Sequence, residues 1–231
     1  MTKRSAGESL QQIKATGLVA ILRHVKQEQL PQVAEALYAG GVRCVEVTAN
    51  SENAVACVQW LSEQWGERMM IGAGTVIRRQ DVRLFGLAGA DFILSPVYDE
   101  VVMSEALEAG LLPVPGIYTP SEAMQAVRQM TAAGLEGPLV KLFPAVTVGP
   151  EYIIQVRAPL PDLHIMAVGG IDAHNAAAFV DAGAAVLGVG SQLADPQLID
   201  AGNFAMLQAR AAVFVAAVRG KDKRTEGALD E

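Results

Sequence analysis

The chain has 231 residues, 51% of them hydrophobic and 19% charged, and a formal net charge of −7. That is enough apolar material for one large core of barrel size, while the acidic balance, with no basic stripe, excludes a broad nucleic-acid or anionic-membrane surface. No apolar run reaches membrane-spanning length and the start "MTKRSAGESLQQ" lacks the apolar centre of a signal peptide, so the cytoplasm is the expected compartment.

In chain order, the stretch up to Gly17 reads as a capping helix, and "LVAIL" (18–22) reads as the first strand. A unit then recurs in which a helical segment ends at glycine and a short apolar run follows: "ALYAGGVRCVEVT", "LFGLAGADFILSP", "ALEAGLLPVPG", "MTAAGLEGPLVKLFP" and "FVDAGAAVLGVG". Glycine supplies a left-handed helix stop and the Val, Leu and Ile run reads as a buried strand. Adding "MMIGAG" (69–74) and "HIMAV" (164–168) gives eight strands with helices between them, the sixth helix being short. The expected fold class is therefore α/β, a (β/α)8 TIM barrel with an N-terminal capping helix, occupying 1–220 as a single domain. Residues 221–231 read as a charged, flexible tail. An open doubly wound sheet is the competing pattern, but the nucleotide loop it needs after the first strand is missing. Cys44 and Cys57 read as reduced packing residues, and Met69, Met70, Trp60 and Trp65 as core groups.

Strand carboxyl ends of such a barrel line one open face. Arg23 follows the first strand; Glu46, Thr48 and Asn50 lie on or after the second, and Thr75 after the third. Ser95 and Pro96, Pro115 and Gly116, Lys141, Gly169 and Gly170, and Gly188, Gly190 and Ser191 follow in turn. Two of these are chemically odd. Lys141 sits inside the apolar run "GPLVKLFPA" and Glu46 inside "VRCVEVTAN", where period-2 alternation turns Cys44, Glu46 and Thr48 to the barrel interior. A buried ion pair of purely structural purpose is one reading. The other is functional: burial lowers a lysine's pKa to about 7 to 8 and so supplies the neutral, nucleophilic amine that Schiff-base chemistry requires.

"AVGGID" and "GVGSQL" close the seventh and eighth strands, where such barrels commonly bind phosphate, and Ser191 adds a donor. Three histidines, His24, His164 and His174, are spread too far along the pattern to meet around one ion. Neither a metal nor another cofactor is expected.

The motifs "VEVTANS", "GAGTV", "LSP", "VPGIYTPSE", "VKLFPA", "AVGGI" and "GVGS", in order from about residue 18 to 217, resemble those of the 2-keto-3-deoxy-6-phosphogluconate and 4-hydroxy-2-oxoglutarate aldolases. The resemblance implies a metal-free class I aldolase, usually trimeric, that cleaves a 2-keto-4-hydroxy acid to pyruvate and an aldehyde. By position it makes Lys141 the Schiff-base lysine and Glu46 the proton shuttle. Thr75 and the backbone around Gly74 become part of the carboxylate site, and Gly169, Gly170, Gly190 and Ser191 the phosphate site. Thr48, Asn50 and Pro96 would complete the substrate pocket. One departure stands out: gluconate-type members usually carry an arginine where this chain has Asn50. Relatives acting on the galactonate epimer are more similar here, with Asn at that place, an "AILR" first strand and "GPEYI"-like residues after the lysine strand; Arg23 would then supply the missing cation. The implied partners are a small 2-keto acid and two further copies of the chain, with no nucleic acid and no membrane. Cleavage of 4-hydroxy-2-oxoglutarate, a metal-dependent sugar-phosphate barrel and a noncatalytic phosphosugar binder remain open.

Overall fold

Every helix–glycine–strand unit of the sequence ends its helix at a glycine with left-handed φ, from Gly41 at +95° to Gly183 at +99°, and turns there into a buried strand. A computed structural model describes residues 4–227, with side chains described through 220. The order is α1 (Ala6–Thr16), β1 (Leu18–Leu22), α2 (Leu30–Ala39), β2 (Cys44–Thr48), α3 (Ala54–Trp65), β3 (Met70–Gly74), α4 (Arg79–Leu87), β4 (Phe92–Leu94), α5 (Glu100–Glu108) and β5 (Leu112–Val114). Then come β6 (Gly116–Ile117), α6 (Pro120–Ala132), β7 (Leu139–Leu142), α7 (Gly149–Arg157), β8 (His164–Val168), α8 (Ala176–Asp181), β9 (Val186–Val189), α9 (Pro196–Asp200) and α10 (Phe204–Gly227).

All pairings are parallel, in the order β5-β4-β3-β2-β1-β9-β8-β7-β6. The two ends of that order, β5 and β6, are consecutive in the chain and separated only by Pro115, which has no N–H to give to a ladder. Carbonyls on either side of the break serve opposite neighbours: Val114 O accepts from Ser95 N at 3.3 Å, and Pro115 O accepts from Lys141 N at 2.8 Å. The nine segments are thus eight staves of a barrel, the fifth interrupted at Pro115. The (β/α)8 expectation is borne out.

Inside, large and small residues alternate across neighbouring strands. A Cβ on Gly72 would overlap the Phe92 ring, and one on Gly188 would press on Val168 and Ile21. The capping helix closes the amino-terminal end: Leu10 and Ile13 are buried, Arg4 pairs with Asp91 just before β4 at 3.1 Å, and Lys14 Nζ donates to Gly137 O just before β7 at 3.3 Å. Its own start is fixed by a Ser5/Glu8 capping box.

At the other terminus α10 packs on α2, α8 and α9. Its backbone stays helical to Gly227, beyond residue 221 where a tail is expected from sequence; 228–231 lie outside the described residues. Among the described residues no helix is long and apolar enough to cross a membrane.

Packing of this kind tolerates no extra volume. Gly72→Ala is expected to destabilise the fold by about 1–3 kcal/mol through overpacking against Phe92. Gly7→Ala, with nothing within 4 Å of the added Cβ, should cost no stability; urea unfolding of the two variants checks the contrast.

Candidate active site

The strand ends opposite the capping helix gather the residues picked out by sequence. Lys141, third residue of β7, is 5% exposed, and Glu46, third residue of β2, is 1% exposed. Among the described residues Lys141 forms no direct ion pair, and Glu46 Oε2 is buried without a hydrogen-bond partner. A structural salt bridge would bring the two together, because only contact and hydrogen bonding offset the cost of desolvating both. Instead each stands dry within the other's field. Burial pushes the Lys141 ammonium pKa down, the Glu46 carboxylate opposes that shift, and the Arg23 guanidinium adds to it. Burial pushes the Glu46 pKa up, against the pull of Lys141 and Arg23. Both groups are thereby biased toward their uncharged forms, an amine and a carboxyl group within one dry region of the barrel.

Neighbouring strands shape the space around this pair. A Cβ on Gly74 would overlap the Glu46 carboxyl group, so glycine at the end of β3 is what lets the carboxylate lie there. Thr75 follows at φ +59°, a region that β-branched residues rarely occupy and that marks strain concentrated at functional sites. Lys141 Nζ lies 5.1 Å from the centre of the Phe143 ring. Phe143 is 38% exposed, and its ring lies against Gly169.

Arg23 is exposed at the end of β1, and its Nη1 donates to Asn50 Oδ1 at 3.2 Å. The two residues that the sequence couples through a missing arginine are therefore in contact. Thr48 is fully buried, its hydroxyl 2.9 Å from Ser51 Oγ; it faces its own loop rather than the opening. Pro96 is half-buried, its backbone lying where Gly116 leaves room for it.

Gly169 and Gly170, at φ +95° and +76°, make a tight left-handed turn after β8 that residues with a Cβ rarely adopt. Their carbonyls accept from Val146 N at 3.1 Å and Asn175 Nδ2 at 2.8 Å. Beside them, Gly190 O accepts from Leu193 N and Ala194 N, both at 2.9 Å, and Ser191 is exposed. Since β8 pairs with β9 and β9 with β1, the two glycine turns adjoin Arg23 on one side and Phe143 on the other. The site residues named from sequence lie on or just after the carboxyl ends of the strands, at one end of the barrel.

His164 opens β8 at the far end, and His174 is exposed in the turn before α8. Among the described residues no three His, Cys, Asp or Glu side chains are placed to hold a metal ion. Sequence reasoning missed Phe143, next but one to the lysine, and Ser51, whose signal was its position three residues after Thr48 in a turn-forming segment.

Comparison with known proteins decides the family. Residues 10–210 match the family model described as KDPG and KHG aldolase. The chain belongs to this aldolase family. The probable 2-dehydro-3-deoxy-6-phosphogalactonate aldolase of Rhizobium meliloti (strain 1021) is 36% identical over 180 residues, covering 78% of this chain and 82% of that protein. A solved structure described as native KDPGal superposes with a TM-score of 0.80 at 31% identity, covering 89% of this chain and 96% of the other. A designed cube-shaped cage made by fusing symmetric oligomeric domains contains a similar fold, with a TM-score of 0.82 at 31% identity, 93% of this chain and 76% of that one being covered. The aldolase is accordingly a lyase with the barrel that its sequence predicts.

The electrostatics of the aldolase site can be tested without substrate. Lys141 is expected to take up its proton at a pH below that of an ordinary lysine. In Glu46→Gln, which removes the one charge opposing that shift, the midpoint should fall further. Proton titration of ε-13C-labelled lysine by NMR reads both midpoints.

Proposed function

We propose that the enzyme is a class I aldolase whose Lys141 forms a Schiff base with a 2-keto-3-deoxy-6-phospho sugar acid, preferentially the galactonate epimer, and releases pyruvate and glyceraldehyde 3-phosphate. The observation that carries the reading is the dry Lys141 amine next to a dry Glu46 carboxyl, with no direct ion pair between them.

Neutral Lys141 attacks the C2 ketone, and loss of water leaves an iminium. That positive charge accepts the electron pair of the C3–C4 bond as it breaks. Glu46 removes the C4 hydroxyl proton so that the aldehyde can leave, then returns a proton to C3 of the enamine. Hydrolysis frees pyruvate and restores the amine, and one carboxyl group serves both transfers. Arg23, with Asn50 holding it, and Thr75 at the Gly74 turn bind the carboxylate. Gly169, Gly170, Gly190 and Ser191 bind the 6-phosphate, so that affinity far from the reacting bond orients it. Pro96 shapes the wall between them, and Thr48 holds the loop after β2 through Ser51.

Preference for the galactonate epimer is supported by the names of the similar proteins and by the Arg23–Asn50 contact. Incubation with pyruvate and borohydride should add mass to the peptide containing Lys141. Lys141→Ala should lower cleavage by at least about a thousandfold, and kcat/KM should be higher for the galactonate than for the gluconate epimer. Full activity in Lys141→Ala would overturn the assignment. A reversed preference, or faster cleavage of 4-hydroxy-2-oxoglutarate, would overturn only the substrate.

The same reading takes the working unit to be a homotrimer and its compartment to be the cytoplasm. The similar fold in a cage built from symmetric oligomeric domains and the unpaired thiols of Cys44 and Cys57 support it. Light scattering is expected to give a mass three times that of the 24.3 kDa chain.

A further inference from the structure

Arg23 is long, exposed and at the end of a strand, yet to bind a carboxylate it must be held in one place. One contact that holds it is the Asn50 side chain. A second lies beneath. His24, the next residue, has φ +57°, so the chain turns sharply at the rim, and its backbone N–H donates to Ser51 Oγ at 2.9 Å. The same oxygen is 2.9 Å from the buried Thr48 hydroxyl, and Ser51 N donates to Thr48 O at 2.9 Å. Ser51 is 9% exposed. The loops after β1 and β2 are thus joined twice, by Arg23 to Asn50 at the surface and by His24 to Ser51 below.

We infer that Ser51 is a positioning residue for the keto-acid carboxylate: its hydroxyl fixes the His24 turn and, through it, the guanidinium of Arg23. The inference rests on the Schiff-base reading above, in which Arg23 binds that carboxylate. Removing the hydroxyl leaves the His24 N–H and Thr48 Oγ1 without this partner in a largely dry spot, which a turn already in an unfavourable conformation relieves by moving.

The test compares carbonyl compounds with and without a carboxylate. Ser51→Ala should weaken borohydride trapping of pyruvate at Lys141 about tenfold and raise KM for the sugar acid by a similar factor while kcat changes little. Trapping of acetaldehyde at the same lysine should be unchanged. Ser51→Thr, which keeps a hydroxyl, should restore pyruvate trapping. In an Arg23→Gln background the Ser51→Ala change should have no further effect, since the two act as one unit. Equal loss with pyruvate and acetaldehyde, or full additivity with Arg23→Gln, would overturn the role of Ser51. Failure of the unmodified enzyme to trap either compound would instead overturn the Schiff-base reading.

Discussion

Burial of two opposite charges that do not touch is the constraint around which the barrel is built. Lys141 and Glu46 each cost several kcal/mol to bring out of water as ions, and the fold does not recover that cost through an ion pair. The adjoining strands show how the arrangement is tolerated. Gly74 gives up its side chain so that the carboxyl group can lie over it, and the Phe143 ring flanks the amine. Apolar residues fill the layers below. The burial that penalises the ions favours their neutral partners, so the feature that lowers stability is also the one on which the Schiff-base proposal rests.

A second feature follows from closure. The sheet has no free edge because the fifth stave changes neighbours at Pro115, its carbonyls serving β4 before the break and β7 after it. This brings Lys141, whose own N–H is bonded to Pro115 O, into the ring with Glu46 on the opposite side. Lys141 and Glu46 are separated by 95 positions in the chain and come within each other's field only because the barrel is complete.

How much of this was legible depended on whether a residue broke the local pattern. Lys141 and Glu46 did: a charge inside an apolar strand demands either a buried partner or a function, and period-2 alternation gave the direction of Glu46. Gly169 and Gly170 stood out as a pair at a strand end. Arg23 and Asn50 were joined only by a family resemblance, and the structure puts them in contact. Ser51 left no such mark, because a serine in a turn is ordinary and the amide it holds is 27 residues away. Nor could composition show where the last helix stops. Lys, Arg and Glu after 220 read as solvated tail, yet they are good helix formers and the backbone coils on to Gly227.

That last helix has a wider consequence. Gly17, Gly40 and Gly41 are sockets for Val218, Ala211 and Val215 of α10, so a helix far along the chain fastens the first βα unit in place. Without α10, α2 lacks a wall of its packing, and the incomplete barrel leaves apolar surface uncovered. The clasp between α10 and the first βα unit is made of glycines meeting valine and alanine side chains.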